Sequence, residues 1–434
     1  MKLPINRNTL YYALGLILMK GIAFLMLPIY TNYLSTFEYG QLEMLVTFTN
    51  LVSLAIGMGL IESLYRFTGG KDQATRQQIM STVIVITFGI SLIFLGLMAL
   101  FGPYVSQLIP GEIPLHLFQW VSVSLCLSAI ITIPLTWLRM NDRAAEFFAT
   151  SVTVAVIQAS LSFYLLLEGV GVLSIILSGV IATALVLTYL VIRIRGELTV
   201  KVTAANSKKL LRYGWPFIFS GFAGFILSGA DRWLLADMFD LETLAVYAIA
   251  AKFAFLPVML MQPYALWWYP KRFNYLDDQQ KLVKNAHHAV MGAVLAVLIC
   301  GGTGLVAPFI IHYMTPAEYH GAVAYLPIFL VAIAMKIVSE YLNIGCFIGT
   351  TSYQQMRIDI FASICGLIAM FALGGSMGIV GILLALNLAY FIRLVLFFVL
   401  SQRKLSLPYK LSNLYLSALV SVTMLIMGQW VFVL

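Results

Sequence analysis

Five basic residues stand inside long apolar runs of the chain: Lys20, Arg232, Lys252, Lys336 and Arg393. A cation at the centre of a bilayer costs roughly 2.5 to 3.5 kcal/mol on the insertion scale. Each therefore needs a partner, a nearby interface or water. Lys20, Lys252 and Lys336 lie deepest in their runs, and a hydrated cavity that attracts an anion is the chemistry they suggest, because low-dielectric walls strengthen the field. Arg232 and Arg393 are closer to the run ends, where a long side chain can also snorkel to the headgroups. Carboxylates accompany several of these cations. Lys336 and Glu340 share one helical face four residues apart and can neutralise each other. Glu62 and Arg66 repeat that spacing at a helix end, which reads as a structural pair. Asp231 adjoins Arg232, but neighbours on a helix point in different directions. Phosphate or diphosphate fits such lysines best as the anion. Asp231, Glu340 and Glu62 are the candidates for ion coupling, alternating between a base and a proton or metal cation. One charge crossing the membrane potential supplies about 2.3 kcal/mol per 100 mV.

The elements that must position these groups follow from composition. Of 434 residues, 61% are hydrophobic and 10% charged, against roughly 45 to 50% apolar and about 25% charged in soluble domains. The apolar residues fall in blocks of about 20, the length of a bilayer-spanning helix. The expected fold class is an all-α, polytopic helical membrane protein. Spans are placed near 9–30, 41–62, 79–101, 115–138, 147–167, 170–192, 212–236, 243–269, 287–310, 321–345, 357–375, 378–400 and 411–432. Alternate links then hold essentially all the loop cations, from Arg66, Lys71 and Arg76 through Lys201, Lys208, Lys209 and Arg212 to Arg403, Lys404 and Lys410. The other links carry only acids, such as Glu38, Glu112, Asp237, Glu242 and Glu318. This split places the N-terminus, with Lys2 and Arg7, in the cytoplasm. It also explains the basic balance as topology rather than nucleic-acid binding. The longest polar link suggests two six-helix lobes, 1–192 and 212–400, joined by a linker at 193–211 and followed by about one extra helix in 401–434. Lobes repeated in the same orientation would be related by an axis along the membrane normal, as in some alternating-access carriers.

Several classes of function are excluded or disfavoured. No polar stretch has room for a soluble domain of about 100 residues. There is no GxxxxGK[ST] phosphate cradle, so no nucleotide cofactor is expected. Cys126, Cys300, Cys346 and Cys365 form no CxxC pair, and the histidines have no metal-ligand spacing, so no metal is expected either. A membrane glycosyltransferase or polymerase would need catalytic carboxylates and usually a large outer loop, whereas the outer links are only about 2 to 13 residues long. Asp277 and Asp278 read as a solvated pair in a basic link. Pro28, Pro134, Pro257 and Pro327 mark bends. Trp267, Trp268 and Tyr269, before Pro270, Lys271 and Arg272, read as an interfacial belt. The cluster Lys201, Lys208, Lys209 and Arg212 can also hold anionic lipid.

The segments GIAFLMLPIYTNYLSTFEYG (21–40), GLIESLYRF (59–67), ADRWLLA (230–236), YAIAAKFAFLP (247–257), ALWWYPKRF (265–273) and AEYHGAVAYLP (317–327) together resemble the Wzx-type polysaccharide flippases of the multidrug, oligosaccharidyl-lipid and polysaccharide exporter superfamily. The resemblance implies two six-helix lobes around a cationic cavity. It implies a non-enzymatic transporter of the bacterial inner membrane, moving an undecaprenyl-diphosphate-linked oligosaccharide outward for O-antigen, lipopolysaccharide or exopolysaccharide assembly. Lys20, Arg66 and Lys252 correspond to its cavity cations on helices 1, 2 and 8. Membrane lipids and polysaccharide assembly proteins are the implied partners. A drug or cation antiporter of the same superfamily is the alternative, and it would call for an acid-dominated cavity.

Overall fold

The computed structural model describes residues 7–430 other than 70, 200, 201, 270, 276, 277 and 349–352. Lys2, Lys201, Pro270, Asp277 and the side chain of Arg7 thus lie outside the described residues. The described chain is helical, without a strand. Its helices are α1 (Arg7–Tyr33), α2 (Thr36–Gly57), α3 (Leu60–Thr68), α4 (Gln73–Leu108), α5 (Leu115–Met140), α6 (Ala144–Leu167), α7 (Val172–Ile194), α8 (Ala204–Gly214), α9 (Pro216–Ser228) and α10 (Ala230–Met238). They continue with α11 (Leu241–Ala254), α12 (Leu256–Trp268), α13 (Gln279–Met314), α14 (Ala322–Tyr341), α15 (Tyr353–Lys404) and α16 (Ser412–Trp430). Helix starts carry their own signals. Ser35 and Glu38 form a reciprocal capping box on α2, and Asp72 and Asp240 cap α4 and α11 through the backbone N–H groups of Thr75 and Thr243.

Among the described residues eleven helices are long and apolar enough to cross a bilayer, and a shorter apolar helix covers Ile17–Tyr33. One of the eleven, α15, is two spans. At about 1.5 Å per residue it would be more than twice as long as a bilayer core is thick, and Gly378 inside it has φ 65°. A Cβ on Gly381 would lie 2.1 Å from the carbonyl oxygen of Leu373, and one on Gly366 would lie 2.7 Å from Cβ of Ala389. Residues so far apart in sequence meet only if the chain doubles back. The hairpin expected from 357–375 and 378–400 is therefore present, which makes twelve crossing helices among the described residues, and the shorter apolar helix at Ile17–Tyr33 stands where hydropathy placed the remaining one of its thirteen. Gly381→Ala is expected to destabilise the protein by about 3 kcal/mol through overpacking against backbone. Gly375→Ala, whose Cβ would meet only Cε of Met238 at 3.9 Å, is expected to be near neutral. Tryptophan fluorescence during thermal unfolding of the purified protein in detergent separates the two.

The chain folds as two compact units, Met1–Phe222 and Ala223–Leu434. The first extends beyond the polar linker because α8 is bound into it. Oγ of Ser63 donates to the carbonyl of Leu210 at 3.0 Å, and a Cβ on Gly214 would stand 2.2 Å from the carbonyl of Met58. In the second unit α16 packs on α13 through small residues. Cβ atoms added at Gly301 or Gly304 would collide with Ser421 or Leu425, and one at Gly428 would come within 2.2 Å of the carbonyl of Gly304. Close backbone approach of this kind is how helices adhere in lipid, where apolar surface alone gives no preference for a neighbouring helix.

Candidate functional site

Each unit contributes its own set of polar groups. In the first, Lys20 is half-buried on α1, and among the described residues no carboxylate lies within ion-pair distance of it. The second transmembrane helix is interrupted. Met58 (φ 43°) and Gly59 (φ 58°) are both left-handed, which ends α2 and restarts the chain as α3. Glycine is required at 59 by its φ and because a Cβ there would come within 2.4 Å of the carbonyl of Gly214. Beside the interruption, Thr49, Ser53, Thr87, Ser128 and Thr132 bring hydroxyls to a cavity of about 240 Å³ that Gly57, Leu60 and Leu125 help to close. Glu62 and Arg66 ride outward on α3. Both are exposed, and no ion pair joins them among the described residues. The structural pair read from their spacing is therefore not formed; solvated side chains gain little from closing such a contact.

Some loop cations of the first unit are held in ion pairs. Arg143 reaches Glu146 at 2.5 Å and Glu197 at 2.7 Å, and Glu197 accepts from Nε1 of Trp137 at 2.6 Å. The hydrogen bond to Glu146, with the charges of both acids, pushes the Arg143 guanidinium above its ordinary pKa against the opposing effect of partial burial. The resulting clamp joins the ends of α5, α6 and α7.

In the second unit the seventh transmembrane helix breaks between α9 and α10. Arg232 closes the break: its Nη1 donates to the carbonyl of Ser228 at 2.8 Å and stands 3.8 Å from Oδ1 of Asp231. Asp231 is only 2% exposed. Its Oδ2 accepts a 2.5 Å hydrogen bond from Tyr247, while its Oδ1 has no hydrogen-bond partner. Tyr390 donates to the carbonyl of Leu227 next to the same break. A buried carboxylate oxygen left without a hydrogen-bond donor is costly unless something else satisfies it, and here the Arg232 guanidinium at 3.8 Å supplies the opposite charge. Lys252, half-buried, falls in the last turn of α11, where the helix dipole favours a cation. Pro257, which has no N–H, enforces the joint between α11 and α12.

Two further cations of the second unit are neutralised by carboxylates. Lys336 meets Glu340 at 3.1 Å, as their spacing allowed. Arg393 does not snorkel. It is 8% exposed, its Nε binds Asp359 at 2.8 Å, and its Nη1 donates to the hydroxyl of Ser339. Hydropathy missed Asp359, yet the hairpin foretells it, since Asp359 and Arg393 lie at nearly mirrored distances from Gly378. Arg272 was missed as well. It is 7% exposed, donates to Oδ1 of Asn343 at 3.0 Å, and has the rings of Tyr269, Phe273 and Phe347 within about 5 Å of its guanidinium. Burial draws its pKa down. The aromatic residues before it are not a simple headgroup belt: Trp268 is 1% exposed and its ring centroid is 4.9 Å from that of His288. Cys126, Cys300 and Cys346 are buried and unpaired, as their apolar settings implied.

A family model described as "Polysaccharide biosynthesis protein" matches residues 29–324. The chain belongs to that family. No curated protein matches it in sequence. Among solved structures it is similar to a lipid II flippase, MurJ, in an inward closed conformation, with 14% identity over 98% of each chain and a TM-score of 0.70. It is also similar to an inward-facing multidrug resistance MATE family transporter of the MOP superfamily, with 14% identity over 93% of this chain and 96% of that one and a TM-score of 0.67. A MATE structure in complex with MaD3S gives 16% identity, 92% and 96% coverage and a TM-score of 0.62. At such identities the likeness is one of fold. This polysaccharide biosynthesis protein has the polytopic helical fold shared by flippases and transporters of that superfamily.

Proposed function

We propose that the protein moves an oligosaccharide linked to undecaprenyl diphosphate from the cytoplasmic to the outer leaflet of a bacterial inner membrane by alternating access. The observation that carries this reading is Lys20, a mid-span ammonium with no carboxylate at ion-pair distance among the described residues. Such a group is stable in a membrane only where water or an anionic ligand reaches it. Lys252, on α11 of the second unit, is the second cation of the proposed path, while Lys336, Arg393 and Arg232 are held by neighbours and would reach the substrate after those contacts open. Membership of a polysaccharide biosynthesis family supports a sugar-bearing cargo. A lipid carrier also needs a place for its chain. In the second unit Pro327, Ile328, Val331, Leu384, Val422 and Leu425 line an open apolar groove of about 490 Å³. The amide nitrogens of Asn387 and Gln429 at its wall donate to the carbonyls of Ile328 and Val323, which leaves the surface to hydrocarbon.

Deletion in the native host tests the reading. Lipid-linked repeats should accumulate on the inner face; failure to make or elongate the repeat at all would point to an enzyme. Lys20→Ala and Lys252→Ala are each expected to lower export about tenfold or more at unchanged expression, the loss of one charge-assisted contact to phosphate in a low-dielectric site. Unchanged export in both rejects them as part of the substrate path. The buried acid Asp231 favours one second reading, a drug or cation antiporter, which export of a cationic dye by the wild type would support.

A further inference from the structure

The α8 segment has a property that transport does not use. It is a short amphipathic helix that buries Leu210 and Gly214 and exposes Lys208, Lys209 and Arg212. Those three cations, with Ala205 and Tyr213, line an open recess of about 520 Å³. Among the described residues none of the three forms an ion pair. Lys208 and Arg212 are stacked one turn apart, an arrangement of like charges that destabilises a helix. The C-terminal dipole accounts for Arg212 in the last turn but not for Lys208 and Lys209 in the middle.

The recess is held in shape from below. Nζ of Lys209 lies 4.4 Å from the ring centroid of Phe67, and Tyr213 packs on Phe67 and Phe217 at 5.3 and 5.8 Å. Directly after it, Trp215, Phe217 and Phe219 are 50%, 40% and 60% exposed. Exposed Trp and Tyr mark the headgroup level of a membrane, so Tyr213 and Trp215, 37% and 50% exposed, set the neighbouring cations at the depth of lipid phosphates rather than in bulk water. We infer that the recess of Lys208, Lys209 and Arg212 is a binding site for the phosphate headgroup of an anionic bilayer phospholipid, with Tyr213 as its floor.

The test uses the purified full chain and native mass spectrometry after titration with phosphatidylglycerol, phosphatidylcholine or undecaprenyl diphosphate. A basic residue near an anionic surface contributes roughly fivefold in affinity, so K208Q/K209Q/R212Q, which removes three, is expected to bind phosphatidylglycerol about a hundredfold more weakly. Phosphatidylcholine retention should be the same in both proteins. K208R/K209R, which keeps the charges, should bind as the wild type does, and this separates lost recognition from lost folding. R403Q/K404Q, which removes cations from another link, should also leave phosphatidylglycerol binding unchanged. Equal phosphatidylglycerol binding by the wild type and the triple variant overturns the site. So does a loss confined to undecaprenyl diphosphate, which would make the recess a landing place for cargo instead.

Discussion

Asp231→Asn is expected to abolish the response of transport to an ion gradient while leaving the fold intact. The amide keeps an oxygen for the Tyr247 hydroxyl and nearly the same volume, and Arg232 loses its carboxylate neighbour but keeps the Ser228 carbonyl, so stability should fall by about 1 to 3 kcal/mol. What it removes is the capacity to exchange charge at Oδ1, the oxygen that has no hydrogen-bond donor. A charge that crosses the membrane potential contributes about 2.3 kcal/mol per 100 mV, so potential-driven accumulation should fall about fiftyfold at that voltage. Proteoliposomes with an imposed potential and separately collapsed proton and sodium gradients measure it. Accumulation by the variant equal to the wild type would remove Asp231 from the coupling path. Tyr247→Phe takes away the donor to Oδ2 and should change the ion or pH dependence without eliminating accumulation.

Asp359→Ala is expected to be the most destabilising single change among the charged residues. It would strand the Arg393 guanidinium, whose side chain is 10% exposed, on the Ser339 hydroxyl, a long contact to the carbonyl of Lys336 and the face of Phe397 at 4.8 Å, with no carboxylate among the described residues. Leaving one member of a buried pair uncompensated costs about 3 to 5 kcal/mol, whereas replacing both with apolar side chains of similar size is often close to neutral. D359L/R393M should therefore recover most of the loss in thermal unfolding. A double variant as unstable as the single one would mean that the hairpin depends on the ion pair itself rather than on avoiding a lone buried charge.

Hydropathy and loop charge made the membrane class, the crossing helices and the hairpin around Gly378 legible, because a bilayer enforces a minimum apolar length and leaves few alternatives for the backbone. Interruptions inside spans were harder to see. The left-handed pair Met58 and Gly59 lies in an unbroken apolar run, where Gly57 and Gly59 hint that the helix stops; the break after Ser228 has the same disguise, with Gly229 as its hint. Partners distant in sequence were also beyond reach. Spacing by four anticipated Lys336 with Glu340 but suggested a contact between Glu62 and Arg66 that solvent makes unnecessary. It gave no sign of Tyr247 on Asp231, sixteen residues away, or of Asn343 on Arg272. Aromatic residues misled for a related reason: Trp268 has the composition of a headgroup anchor, and only packing against His288 reveals that it faces inward.

The meeting of Gly59 with Gly214 bears on how force travels through the first unit. Interlocked side chains resist sliding in every direction, but two bare backbones in contact allow rotation about the point where they touch and oppose only closer approach. With the Ser63 hydrogen bond and the Phe67 and Tyr213 rings added a few residues away, that freedom is removed, and α3 and α8 are fixed to one another at three points. A side chain that forced these backbones apart would therefore be felt at the basic edge of α8 as well as at the break in the second transmembrane helix.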